Sequence, residues 1–145
     1  MVRVAAPGAT VSMSVASASS FGEFFSVFWE ALAGAGYAEQ AEGVASLIHE
    51  LPTVTDVEAL ARREALEEVE SWTTIEEFDF ASGQEFLEAP LVQDFLLDRW
   101  LDSLPEEEAR ASVLNEVARI IDDDRHEIDF SLTVKATIVV GKKAG

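Results

Sequence analysis

The side chains able to do chemistry are few. The chain has no cysteine, which excludes thiolate nucleophiles, disulfides and cysteine-held zinc or iron–sulfur centres. His49 has no second histidine or carboxylate at metal-ligand spacing, and a lone histidine beside an apolar helical face reads as a surface or core residue. Asp122, Asp123 and Asp124, followed by Arg125 and His126, invite a calcium reading. Calcium loops need alternating ligands and a sharp glycine turn, so the triplet reads instead as a solvated charge run at a helix end. Phe21, Phe24, Phe25, Phe28, Trp29 and Leu32 recur at offsets of three and four, which predicts one helical face. Core packing explains such a stripe without a ligand. No set of residues forms a complete catalytic site by type and spacing.

Composition narrows the function classes. Ten Lys and Arg against 28 Asp and Glu give a net charge of -18, which repels phosphate backbones and anionic headgroups. Nucleic acid and membrane surfaces are therefore not expected as partners. No apolar run is long enough to span a bilayer. A chain of 145 residues fits one domain over 1–145, able to bury roughly 70% of its unfolded surface. The absence of cysteine suits a cytoplasmic location. Arg3 and the run Val15-Ala16-Ser17-Ala18 faintly mimic a secretory signal, but Pro7-Gly8 interrupts its apolar region.

Three strands are expected. Ile128, Phe130, Leu132, Val134, Ala136, Ile138 and Val140 alternate with polar residues, and this even-numbered set is expected to be the core face of a strand over 128–140. Its length and hydrophobicity place it inside a sheet, because such an edge would aggregate. Ala9 to Ala16 reads as a short strand covered on both sides. Val69 to Phe80 is rich in β-branched and aromatic residues, with a bulge or polar outer face around Glu76 and Glu77.

Helices fill the intervals, over about 20–66 and 83–124. Ser20 with Glu23, Thr55 with Glu58, and Ser82 with Glu85 each have capping-box spacing. Gly34 and Gly36 stop the first helix, and Ala38 to Leu51 starts another with Ala41, Val44, Ala45, Ile48 and Leu51 apolar. A third helix reaches about Leu66. Pro90 interrupts a fourth, and Pro105 before Glu106, Glu107 and Glu108 starts the last, with Val113, Leu114, Val117, Ile120 and Ile121 buried.

The segment Val2-Arg3-Val4-Ala5-Ala6-Pro7-Gly8-Ala9 before a strand resembles the approach to the fifth strand of class I S-adenosylmethionine-dependent methyltransferases, with Ala9 where the usual ending has a second glycine. Asp129 to Val140 with Gly141-Lys142-Lys143 resembles their final strand, and Glu77-Phe78-Asp79-Phe80 the end of their sixth. The resemblance implies an α/β fold, α+β for the isolated chain. It implies a three-stranded mixed sheet whose closing strand lies between the other two and antiparallel to both, with about five to six helices. It also implies a cofactor site on a glycine-rich turn after the first strand and an acidic residue on the ribose. Neither is present, and no Gly-x-Gly follows a strand.

The resulting expectation is the carboxy-terminal, substrate-side part of a small-molecule methyltransferase, inactive alone. The complete enzyme would use S-adenosylmethionine, and this chain by itself would hold no cofactor and no metal. The resemblance assigns Ser19, Phe21, Phe25 and Trp29 as substrate-pocket candidates and names no catalytic residue. Its expected partners are an amino-terminal cofactor-binding chain, or a second copy through the Ala9 to Ala16 edge, and a small-molecule substrate. The alternatives are a non-enzymatic acidic module that dimerises or binds a protein, and a secreted acidic protein.

Overall fold

Alternation of Val11, Met13 and Val15 with Thr10, Ser12 and Ser14 produces β1 (Thr10–Ala16), and the two longer β-branched runs produce β2 (Leu66–Phe80) and β3 (Phe130–Lys143). A computed structural model describes residues 2–124 and 129–145, so Arg125, His126 and Ile128 lie outside the described residues. The strands form one sheet in the order β1-β3-β2. β1 pairs antiparallel with β3, Thr10 opposite Lys142 and Ala16 opposite Ala136. β2 is antiparallel to β3 as well: side chains meet at Glu68 with Lys142, Thr73 with Thr137 and Asp79 with Ser131, one index rising as the other falls. The expected α/β class and the central place of the closing strand both hold, but the sheet is antiparallel throughout rather than mixed, because the closing strand runs opposite to both neighbours. Helices are α1 (Gly22–Gly34), α2 (Ala41–Glu50), α3 (Val54–Arg63), α4 (Gly83–Glu88), α5 (Leu97–Trp100) and α6 (Glu107–Asp124).

The chain divides into two compact units. The first comprises Met1–Ser20, His49–Glu76 and Val134–Gly145. Its apolar centre is Val11, Val57, Ala61, Leu66 and Val139, with Met13, Val15 and Val69 packed against it. From β1 and β3 it takes odd-numbered residues, and that corrects two expectations. β1 is covered on one side only, since Thr10, Ser12 and Ser14 are exposed. In β3, Val139 and Thr137 are buried while Ile138 is 41% exposed and Val134 half-buried; of the expected even-numbered face, Leu132, in the second unit, is fully buried as expected. The reason is α3, which supplies Val57 and Ala61 to the odd-numbered side.

The cap of α3 lies two residues earlier than expected, at Thr53 rather than Thr55. Pro52 precedes Thr53, whose extended backbone makes it the N-cap: Asp56 donates its backbone N–H to Thr53 Oγ1 and Thr53 its own to Asp56 Oδ2, each at 3.1 Å. Glu58, expected in that role, instead accepts from Ser71 and Arg62. Ala65, in the left-handed region at φ 64°, turns the chain so that Leu66 opens β2 rather than closing the helix. The left-handed residue inside β2 is Glu68 (φ 49°), not the exposed pair Glu76 and Glu77.

The second unit comprises Phe21–Ile48 and Glu77–Thr133. α1 has no side-chain cap; its N-cap is Phe21, left-handed at φ 63°. Glu23 accepts the Thr133 N–H at 3.1 Å instead of closing a box with Ser20. At the other end Gly36 (φ 89°) allows a Schellman closure, with Tyr37 N–H donating to Leu32 O and Gly36 N–H to Ala33 O. The expected helix from Ala38 splits into a 3-10 turn (Ala38–Gln40) and α2, which buries Val44 and Leu47 and leaves Ile48 46% exposed. Ser82 caps α4 as expected. After Pro90 the chain forms a π-helix (Leu91–Leu96) before α5. α6 buries Val113, Val117, Ile120 and Ile121 and packs against α1 and α4. The α4 approach is close: a Cβ on Gly83 would lie 2.5 Å from Ala118 Cα.

Candidate functional site

Two sets of residues in the first unit, and two in the second, have the placement to act on a partner or ligand. In the first unit, β1 ends at Ala16, yet its chain goes on serving β3 through hydroxyls. Ser17 donates both its N–H (2.9 Å) and its Oγ–H (2.8 Å) to Lys135 O, and Lys135 N–H donates to Ser20 Oγ at 2.8 Å. Thr137 Oγ1 donates to Ser17 Oγ at 2.9 Å and shares a 2.8 Å hydrogen bond with Thr73 Oγ1. Ser17, Ser20 and Thr137 are the buried polar residues of the chain's described part. Each is satisfied, so the chain of hydroxyls fixes the loop after β1 rather than offering a nucleophile. Within that loop Ser19 is exposed and left-handed (φ 73°), a conformation that costs a non-glycine residue free energy and clusters at functional positions.

In the same unit, the part of β2 up to Glu76 lies at the end of the sheet, with β3 as its one strand neighbour among the described residues. One step from the Thr73 and Thr137 pair, Trp72 lies across from Ile138, and both are exposed, as is Ile75. Glu67, Glu70 and Glu76 are exposed around them.

The second unit holds the aromatic stripe. Phe24 stacks on Trp100 at 3.9 Å between centroids and on Phe28 at 5.3 Å; Phe86 sits edge-on to Phe80 and Phe130. The pocket candidates Phe21 and Phe25 are brought together at 6.3 Å, edge to face, and both meet Trp100. Their rings are buried in this cluster. Trp29, on the same helix, is 51% exposed and takes no part in the described ring contacts. Phe95, in the π-helix, is 76% exposed. The π-helical turn sets Phe95 apart from Val92 and Trp100, which are buried.

A cavity of about 230 Å³ in this unit is lined by Tyr37, Glu39, Gln40, Ser103, Leu104 and Glu106, among others. Ser103 Oγ is buried there without a hydrogen-bond partner. The volume falls below the ~300–1,000 Å³ usual for small-molecule sites. Two acids of the triplet are used structurally: Asp122 Oδ1 accepts the Gly83 N–H at 2.9 Å, and Asp123 pairs with Arg119 at 2.6 Å. Among the described residues no group of three His, Asp or Glu could hold a metal ion. His49 is exposed. Among them, too, no helix is long and apolar enough to cross a membrane.

No protein-family model matches the chain, and no match to a curated protein sequence is found.

Proposed function

We propose that this chain is the carboxy-terminal, substrate-side part of a class I methyltransferase acting on a small molecule. The observation that carries the reading is the sheet order: the closing strand β3 lies between β1 and β2 and runs antiparallel to β1. That is the arrangement the sequence resemblance implies for the last three strands of those enzymes. The exposed, left-handed Ser19 after β1 supports it, because the resemblance places substrate-facing residues there. In the second unit, exposed Trp29 and Phe95 offer apolar rings to a substrate.

The cofactor implied by this reading does not fit the residues present. The chain's Gly34-Ala35-Gly36 closes helix α1 and follows no strand, so it cannot serve as the nucleotide turn. Binding of S-adenosylmethionine is therefore assigned to another segment or chain. This chain's own contribution would be to orient the methyl acceptor, since methyl transfer depends mainly on in-line positioning of nucleophile and sulfonium.

Calorimetric titration of the isolated chain with S-adenosylmethionine should give no heat. The DNA upstream of the Met1 codon should encode, in frame, a strand followed by Gly-x-Gly, and the joined polypeptide should transfer labelled methyl groups. Micromolar binding by the isolated chain, or a joined polypeptide that fails to bind the cofactor, would overturn the proposal. A second reading, a non-enzymatic acidic protein-binding module, is favoured by the exposed apolar residues Trp72 and Ile75 on the terminal strand β2.

A further inference from the structure

We infer that the outer edge of β2, over residues 66–76, docks one extended, lysine- or arginine-bearing segment of a partner protein, which joins the sheet as a fourth strand. The inference is independent of methyl transfer. β2 is terminal in the sheet, so the backbone groups on its outer side face no strand among the described residues. Beside that edge stand Trp72 at 53% exposure, Ile75 at 66% and, across from Trp72, Ile138 at 41%. Natural edge strands avoid such apolar residues unless something covers them.

Charge selects the occupant. Residues 66–76 carry Glu67, Glu68, Glu70 and Glu76 and no basic residue. Glu68 is matched by Lys142 at 2.6 Å, and Glu70 also feels that charge; Glu67, Glu70 and Glu76 form no salt bridge among the described residues and stay open to an incoming chain. A second copy pairing through the same edge would set these acids against each other and bring together two chains of net charge -18. A basic segment meets no such penalty. Alternation sharpens the pattern, because Glu70, Trp72 and Glu76 share one face. The matching segment is basic, apolar two positions on, and basic again four positions after that, in either direction; pairing of this kind uses backbone hydrogen bonds for affinity and the side chains for selection.

The test uses the full chain with the peptide Thr-Lys-Thr-Val-Thr-Thr-Thr-Lys-Thr, its reversed sequence, and versions with Glu in place of Lys. The lysine peptide in at least one direction should bind and slow hydrogen exchange of amides within 69–76 at least tenfold, and the glutamate versions should do neither. Glu70→Lys with Glu76→Lys, and separately Trp72→Ala, should weaken binding at least tenfold with the urea midpoint unchanged, since all three side chains are exposed. The inference fails if lysine and glutamate peptides bind alike, if neither binds, or if protection appears at β1 instead. It fails equally if sedimentation shows a dimer whose β2 amides are already protected, because a second copy then holds the edge.

Discussion

In α1, Phe24 and Phe28 are fully buried and Phe21 and Phe25 nearly so, whereas in β2 Trp72 and Phe78 are 53% and 41% exposed. Both stretches are aromatic-rich, and both form the element their periodicity predicts. The difference lies in what meets them. The stripe of α1 has partners in kind: Trp100 stacks on Phe24, Phe86 lies beside it, and α6 packs along the helix. β2 has one lateral neighbour and exposed residues along most of its length. Aromatic content therefore predicted the element in both cases but burial in only one.

Phe24→Ala removes a ring held between Phe28 and Trp100 and should cost about 3–5 kcal/mol in urea unfolding, enough to threaten the fold. Thr137→Val keeps the shape but deletes the hydroxyl that serves Ser17 and is shared with Thr73; about 1–3 kcal/mol should be lost. Were Thr137→Val neutral, the odd-numbered side of β3 would not be the covered one. Trp72→Ala, the counterpart of Phe24→Ala, should change stability by no more than about 0.5 kcal/mol. Equal costs for these two aromatic deletions would erase the contrast between α1 and β2.

The smallest effect is electrostatic. Hydrogen bonding to Arg119, and then its charge, holds the Glu116 carboxyl below the usual glutamate range. A lowered pKa in the folded state gives stability that is present above the ordinary value of 4.5 and lost as pH falls through the folded value. Glu116→Gln should therefore lower stability slightly at neutral pH and flatten the decline on the acid side, so that variant and parent converge once pH falls below the folded value, the difference shrinking in high salt as expected of a surface pair. Lys142 is shifted the opposite way by its hydrogen bond to Glu68. Its contribution is full below the ordinary lysine value of 10.5 and lost as pH rises through the raised one, so Lys142→Gln should lower stability slightly at neutral pH and converge with the parent on the alkaline limb.

Local pattern alone determined the strands, most helices, the Gly36 stop and the Ser82 cap, because those depend on residues within a turn of each other. It also placed the closing strand inside the sheet, since its length and hydrophobicity are ill suited to an edge. Tertiary structure decided what local spacing cannot carry. Ser20 and Glu23 have capping-box spacing, but β3 offers each of them a backbone N–H, and both side chains accept from it. The box at α3 moved from Thr55 to Thr53, whose extended backbone lets its hydroxyl and Asp56 cap each other's N–H groups. Of the pocket candidates, Phe21 and Phe25 were drawn into the aromatic cluster by Trp100, far along the chain, while Ser19 and Trp29 stayed accessible. The covered side of β3 follows the same logic. Alternation defines two sides of a strand equally well, and only the arrival of Val57 and Ala61 from α3 made Val139 core and left Ile138 at the surface.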